Sequence, residues 1–356
     1  MATMLIALLK GKLIDAAYAE RRRDYLCPAC KQSVGLRHGR QVQPYFAHRA
    51  KEACTVFSEG ETQEHLTGKR QLMAFFAPWG PITLEKILPE IQQRADCWVE
   101  RTGKQPAALE FQCSPITTEQ VTWRTDGYRE ISAYPFWILG SRYGRQKLGW
   151  SLIERFATKL KGWGLCLLFW DVARQELRVD HHLAQDSLGV YVSKTTWVKT
   201  LAEFVAGSHV LPQVTLDYWG WRERLARDLR QKQSGVLDIQ EVLYLAGHHV
   251  LSLPKFLHTK ATTLPLFGRG LLLWRAVLVT KLFALPTDFI TTRVMNDLAG
   301  ESFTIVGGHP EAVWFTAESV LPLAQANLLA LLTTEGYLEA VTGGWRVCHQ
   351  PKWHIN

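Results

Sequence analysis

Apolar residues follow two periods along the chain, one typical of strands and one typical of helices. The first two apolar runs, at residues 5–9 and 13–17, lie on either side of Lys10-Gly11-Lys12. Because Gly11 can take the positive φ of a tight turn, this arrangement predicts a β-hairpin at the start of the chain.

From residue 61 to residue 185, helical spacing alternates with short apolar runs bounded by turn residues. This pattern predicts an α/β (α+β) fold in which a mixed sheet is flanked by helices. The predicted elements are helix 61–76, strands 82–88, 95–99 and 107–113, helix 117–129, strand 136–139, helix 151–163, and a hairpin of strands 165–170 and 176–179.

After about residue 185 the pattern becomes mainly helical. Residues 221–232 predict an amphipathic basic helix, and Arg222, Arg227 and Arg230 are its candidate phosphate contacts. The apolar run 270–286 is interrupted by charged residues and falls short of the roughly 18 to 20 apolar residues that cross a bilayer. We therefore expect a buried helix and no membrane partner.

Charge and cysteine content narrow the class of protein. The 356 residues carry a net charge of +8, which favours a polyanionic partner without identifying one. The seven cysteines are too sparse for a disulfide framework, and the apolar start has no preceding basic region. We expect a cytoplasmic protein whose thiols stay reduced and can bind metal.

Cysteine spacing predicts a structural zinc site near the N-terminus. Cys27 and Cys30 form a C-x-x-C pair, which lets two thiolates reach one tetrahedral ion. His48 and Cys54 are the best-placed further ligands, in a segment with too few apolar residues for a core of its own. The alternative fourth ligands are His38 and His65.

Acidic residues on two predicted strands indicate a second metal site. Asp96 begins one strand, and Glu110 and Gln112 lie on one face of the next. If these strands are neighbours, Asp96 and Glu110 offer the oxygen ligands that Mg²⁺ or Mn²⁺ requires for phosphodiester cleavage, with Glu64 as a further carboxylate from the first helix. The alternative is exposed charge on a half-buried sheet.

The residue after this acidic pair departs from the D-(D/E)-x-K nuclease pattern. Gln112 stands where that pattern has lysine, and glutamine carries no positive charge, so Lys69 on the first helix is the alternative cation. On the next predicted helix, Gln120, Arg124 and Tyr128 are spaced four residues apart on one face. Such a Q-x-x-x-Y face grips DNA beside the metal in some nucleases.

Taken together, the motifs resemble the competence protein CoiA family from about residue 5 to about residue 180. The matching segments are Cys27-Pro28-Ala29-Cys30, Pro44-Tyr45-Phe46-Ala47-His48, Glu64-His65-Leu66-Thr67-Gly68-Lys69, Arg94-Ala95-Asp96, Leu109 to Ile116, Arg124 with Tyr128, and Trp137-Ile138-Leu139. The resemblance implies a cytoplasmic protein of competent Gram-positive bacteria that processes or recombines incoming single-stranded DNA.

The pattern of predicted elements implies a domain division, and the resemblance implies partners. We expect an N-terminal β-hairpin and zinc-binding segment at 1–58, a nuclease-like domain of the PD-(D/E)xK restriction-endonuclease type at 59–185, and a mainly helical domain at 186–356. The expected partners are DNA, as single strands or recombination intermediates, and recombination proteins. No small-molecule cofactor is expected.

Two functions are consistent with these residues. The first is a metal-dependent DNA nuclease in which Asp96 and Glu110 hold the ion. The second is a non-catalytic DNA-binding recombination mediator that retains a nuclease fold, favoured by Gln112 and by the basic helix 221–232. A third hypothesis assigns the C-terminal half to protein docking.

Overall fold

In a computed structural model, the chain is described over residues 3–39, 43–48, 62–312 and 315–353. It combines helices with a mixed β-sheet, which confirms the predicted fold class. The residues divide into two compact units: the first contains 1–147, 151–181 and 195–209, and the second contains 148–150, 182–194 and 210–356. The domain boundary predicted at residue 58 lies outside the described residues.

A six-stranded antiparallel sheet begins the first unit, in the order β1-β6-β5-β4-β2-β3. Its strands are β1 (Thr3–Met4), β2 (Ile6–Leu9), β3 (Lys12–Asp15), β4 (Tyr25–Leu26), β5 (Ser33–Arg37) and β6 (Tyr45–His48). Lys10 and Gly11 both take positive φ in the turn between β2 and β3, at 50° and 78°. The predicted hairpin is confirmed.

The N-terminal sheet has a small core of its own. Tyr25, Val34 and Phe46 are buried there together with Met4 and Ala7. The cysteine-containing segment therefore contributes to a core that it shares with other strands. Its apolar side chains pack with strands that precede it in the sequence, so its own composition does not reveal the shared core.

The second sheet has the main order β14-β13-β12-β10-β9-β8-β7, with β11 beside β12. Its strands are β7 (Ile82–Leu88), β8 (Gln93–Val99), β9 (Ala107–Gln112), β10 (Tyr134–Leu139), β11 (Thr158–Leu160), β12 (Gly164–Asp171), β13 (Glu176–Asp186) and β14 (Tyr191–Val198). Strands β7, β8 and β9 are antiparallel, whereas β10 runs parallel to β9 and β12. The boundary predicted at residue 185 falls within β13.

Five helices belong to the first part of the chain: α1 (Gln63–Phe76), α2 (Thr118–Glu130), α3 (Ser141–Gly144), α4 (Trp150–Phe156) and α5 (Leu201–Ala206). The Thr62 hydroxyl accepts a hydrogen bond from the His65 N–H and caps α1. Thr117 and Gln120 form a capping box at α2. Both predicted helices are confirmed in position.

Two elements differ from the sequence-based expectation. The predicted helix 151–163 ends at Phe156, because the following residues pair with β12 as β11. Strand β14 lies where only helices were expected. In both places, pairing with a distant strand determines the structure, and local periodicity does not report such pairing.

The second unit is mainly helical, with short strands. Its elements are α6 (Tyr218–Arg230), α7 (Ser234–Leu245), β15 (Thr262–Thr263), α8 (Leu271–Phe283), β16 (Phe289–Thr291), α9 (Thr292–Ile305), β17 (Glu311–Ala312), β18 (Phe315–Thr316), α10 (Ala317–Thr334), β19 (Leu338–Val341) and β20 (Gly344–Val347). Helix α8 is buried along most of its length, as predicted. Within the described ranges, every helix is too short or too polar to cross a membrane.

The contact between α1 and β9 leads to a stability prediction. A Cβ at Gly68 would lie 2.1 Å from the Phe111 ring, so we expect Gly68→Ala to lower the free energy of unfolding by about 1 to 3 kcal/mol. Gly300→Ala is the matched helical control, because a Cβ there meets nothing within 4 Å. Chemical denaturation of both variants tests the contact, and an equal effect of the two substitutions would contradict it.

Candidate functional site

Strands β8 and β9 place Asp96 beside Glu110. The two strands are neighbours with Cys97 opposite Leu109, so one further step in the register brings Asp96 opposite Glu110. At that step the Oδ2 atom of Asp96 accepts a hydrogen bond of 3.0 Å from the Phe111 N–H. Both carboxylates are buried, with exposed fractions of 6% and 4%.

Two side chains of α1 lie beside the Asp96 carboxylate. His65 Nε2 lies 3.0 Å from Asp96 Oδ2, and Lys69 Nζ lies 3.8 Å from Asp96 Oδ1. Burial alone would raise the pKa of Asp96, but His65 and Lys69 outweigh burial and hold that pKa below its ordinary value. Asp96 is therefore ionised at neutral pH.

Glu110 is held from the opposite side by α2. Its Oε1 atom accepts hydrogen bonds from Arg124 Nη2, at 2.5 Å, and from the Tyr128 hydroxyl. The same two side chains donate to the Arg94 carbonyl oxygen, at 2.9 Å and 3.3 Å. Burial, aided by the charge of Asp96, raises the pKa of Glu110 more than Arg124 lowers it. The pKa values of the two carboxylates are thus shifted in opposite directions, that of Asp96 downward and that of Glu110 upward.

The glutamines predicted to contact DNA or phosphate make local contacts. Gln112 Nε2 donates to the Ser114 carbonyl oxygen at 2.7 Å, in the chain that leaves β9. Gln120 is exposed, and its Oε1 accepts from the Thr117 N–H at 3.1 Å as part of the helix cap. Of the Q-x-x-x-Y face, Arg124 and Tyr128 reach the carboxylate pair.

Glu64 lies apart from the predicted metal ligands. Its carboxylate accepts hydrogen bonds from the Ser141 N–H, at 2.6 Å, and from the Ser141 hydroxyl, at 3.0 Å. Among the described residues, no group of three acidic, histidine or cysteine ligands surrounds Asp96 and Glu110. Glu64 thus contacts the N-terminus of α3, and its role at a metal ion stays a prediction.

Sequence analysis missed Glu85, which is fully buried and pairs with Lys69. Lys69 Nζ lies 2.6 Å from Glu85 Oε1, and both side chains have no exposed surface. The Glu85 carboxylate also accepts hydrogen bonds from the N–H groups of Leu5 and Ile6. Glu85 takes a positive φ of 50° in the middle of β7, and an acidic residue within an apolar strand was the signal available in the sequence.

A second cluster unites Cys27, Cys30 and His48. Their ligand atoms lie within 4.8 Å of one another, and Cys30 Sγ is 3.3 Å from His48 Nε2. The turn after β4 is closed by a hydrogen bond from the Lys31 N–H to the Cys27 carbonyl oxygen, and β6 brings His48 opposite Val34. Two thiols and an imidazole in this geometry match the donor set of a structural zinc site.

The fourth ligand of this cluster was predicted as Cys54, which lies outside the described residues. The reserve ligand His65 contacts Asp96 instead. His38 lines a different feature, a cavity of about 700 Å³ that is also lined by Arg21, Arg22, Arg23 and Arg37. Within the described ranges, the cluster therefore contains three ligands.

In the second unit, the predicted basic helix is α6. Arg222, Arg227 and Arg230 are exposed on it, while Trp221 and Leu225 are buried. The amphipathic character predicted from the sequence is confirmed. That these exposed arginines contact phosphate stays a prediction.

Comparisons with known proteins match the first part of the chain. The family model described as "Competence protein CoiA, nuclease-like domain" matches residues 61–203, and "Competence protein CoiA, N-terminal domain" matches residues 12–57. Competence protein CoiA of Bacillus subtilis is 29% identical over 219 residues, which cover 58% of this chain and 57% of that protein.

A second relative shares a short segment. Druantia protein DruB of Escherichia coli is 53% identical over 38 residues, which cover 11% of this chain and 7% of that protein. The chain thus spans less than two thirds of the length of either relative. No solved structure matches it significantly.

The buried ion pair leads to a second stability prediction. Lys69→Met leaves Glu85 charged and buried without its partner, so we expect a loss of about 3 to 5 kcal/mol in the free energy of unfolding. In the control Lys199→Met, the lysine is 72% exposed and 3.7 Å from Glu176, so the expected loss is under about 1 kcal/mol.

Chemical denaturation measures both losses, and the double variant Lys69→Met/Glu85→Gln separates the pair from general packing. Removing both charges should recover a large part of the stability lost in Lys69→Met. No recovery, or equal losses in the two lysine variants, would contradict a stabilising role for the pair.

Proposed function

Because the chain belongs to the competence protein CoiA family, we propose that it processes DNA and that Asp96 and Glu110 hold a divalent ion for phosphodiester cleavage. The observation that carries this proposal is which oxygen of each carboxylate, Asp96 and Glu110, accepts hydrogen bonds from the protein. Hydrogen bonds within the described residues fall on Oδ2 of Asp96 and on Oε1 of Glu110. The second oxygen of each carboxylate accepts none of these four hydrogen bonds, and Oδ1 of Asp96 lies 3.8 Å from Lys69 Nζ.

The donor set fits a hard cation. Mg²⁺ is commonly held by one or two protein carboxylates, with water and substrate phosphate completing its shell. Asp96 and Glu110 would be those carboxylates, and such an ion supplies an activated water and stabilises charge on the phosphate. The raised pKa of Glu110 beside ionised Asp96 reflects mutual repulsion as well as burial, and a cation between them would relieve it.

Three side chains of the helices α1 and α2 position the two carboxylates. His65 and Lys69 keep Asp96 ionised, and Arg124 fixes Glu110. Lys69 cannot replace the missing strand lysine at the phosphate without leaving Glu85, because its ammonium is fully buried in that ion pair. Negative charge that develops on the phosphate would therefore be stabilised by the metal ion and by Arg124.

A non-catalytic DNA-binding mediator is the second candidate function. Gln112 favours it, since its amide is held by Ser114 and offers no positive charge. Under this alternative, DNA binding persists without divalent ions and Asp96→Asn leaves that binding unchanged.

Cleavage assays distinguish the two functions. With Mn²⁺ present, we expect Asp96→Asn and Glu110→Gln each to reduce the rate by at least about 100-fold, because each removes a metal ligand. Asp126→Asn is the matched control, an exposed carboxylate on α2 that pairs with Arg129. Intact single-stranded, double-stranded and branched DNA after incubation with the Mn²⁺-loaded wild type would contradict cleavage.

We also propose that Cys27, Cys30 and His48 hold a structural zinc ion, with Cys54 as the fourth ligand. Metal analysis of the purified protein should find about one zinc ion per chain. Cys30→Ser should lose most of it, whereas the exposed Cys348→Ser should keep it. Equal zinc content in the two variants would exclude this site.

A further inference from the structure

The second unit contains a cleft of about 480 Å³ that none of the family matches covers. The residues that line it include three aromatic side chains from the first turn of α6 and three basic or titratable ones, Arg222, Lys255 and His258. This volume is in the range of small-ligand sites in proteins.

Two tryptophans of α6 have opposite environments. Trp221 is buried, with 8% of its surface exposed, and packs in the core of the second unit. Trp219 lies on the cleft and is 74% exposed. The core therefore accounts for Trp221 and leaves the indole of Trp219 unexplained. Beside it, the rings of Tyr218 and His258 lie 4.9 Å apart between centroids.

The charge of the cleft is positive. Its described lining contains Arg222 and Lys255, both exposed, and neither aspartate nor glutamate. Arg275 adds a buried charge close to His258, because it donates to the Thr259 hydroxyl at 2.5 Å and to the Leu257 carbonyl oxygen at 3.5 Å.

The positive charge of Arg275 is not neutralised by Leu257 or Thr259, because neither partner is charged. Burial lowers its pKa to about 10, so the guanidinium remains charged at neutral pH. Both of its acceptors are neutral oxygens, and its Nε has no acceptor among the described residues. The loop that carries His258 is thus held by a buried cation without a carboxylate, which adds to the positive potential of the cleft.

We propose that this cleft binds an unpaired nucleotide of a single-stranded nucleic acid, with the base stacked on Trp219 and the flanking phosphates on Arg222 and Lys255. Exposed aromatic faces combined with cations are the recognition chemistry of single strands, because every unpaired base offers a π-face. A duplex hides those faces. The exposed Arg227 and Arg230 extend the basic surface along α6.

This inference rests on the proposed function only in the choice of a nucleic acid as the partner, and it is independent of metal-dependent cleavage. An acidic peptide would satisfy Arg222 and Lys255 but would not require an exposed indole in the same cleft. Binding is therefore measured without divalent ions, where the site at Asp96 and Glu110 is inactive. Loss of cleavage with retained binding, or the reverse, distinguishes the failure of either proposal.

The test is equilibrium binding of fluorescent oligothymidylate, and of a duplex of equal length, to the full chain. Trp219→Ala should weaken single-strand binding by about 10-fold or more, and Trp219→Phe should retain most of it. Tyr244→Ala is the matched control, since Tyr244 is 73% exposed on α7 and does not line the cleft. Duplex binding should be insensitive to all three substitutions.

Charge is tested with Arg222→Glu and Lys255→Glu, which should weaken single-strand binding and reduce its salt dependence. Arg293→Glu, at a side chain that is 92% exposed on α9, should have a smaller effect. The proposal is overturned if Trp219→Ala binds oligothymidylate as tightly as wild type. It is also overturned if polyglutamate binds in a Trp219-dependent manner and oligothymidylate does not.

Discussion

The buried ion pair between Lys69 and Glu85 is the interaction on which the first unit depends. It joins α1 to β7 in a region with no access to water, and Glu85 also accepts the backbone N–H groups of Leu5 and Ile6. One carboxylate therefore connects the N-terminal sheet, the first helix and the central sheet. Lys69 lies 3.8 Å from Asp96 as well, so the same ammonium supports both the packing and the candidate site.

The candidate site combines two buried carboxylates with positively charged side chains that contact them. Asp96 and Glu110 lie on neighbouring strands, and each is contacted from a different helix, Asp96 by His65 of α1 and Glu110 by Arg124 of α2. Burial raises the pKa of Glu110, and the charge of Asp96 adds to that rise, whereas His65 and Lys69 outweigh burial and hold the pKa of Asp96 below its ordinary value. Before an ion binds, the positive charges of Lys69 and Arg124 stabilise the two buried carboxylates. A divalent ion would replace part of that positive charge.

The features that are local in sequence could be predicted, and those that depend on distant contacts could not. The hairpin, both flanking helices and the neighbouring strands of Asp96 and Glu110 follow from periodicity and turn residues. Glu85 could not be assigned, because its partners come from α1 and from the start of the chain. Glu64 and Gln112 occupy positions that the nuclease pattern singles out, although Gln112 replaces its lysine, and their hydrogen bonds are to Ser141 and Ser114. Spacing locates a side chain on an element but does not choose among the acceptors and donors around it.

The central claim is that Asp96 and Glu110 share one divalent ion, and anomalous diffraction from crystals soaked in Mn²⁺ tests it most directly. The account predicts a single peak that the carboxylates of Asp96 and Glu110 share, with the hydrogen bonds from Phe111 and Arg124 retained. A map without that peak, in which Mn²⁺ binds elsewhere while both carboxylates keep only their protein partners, would contradict it.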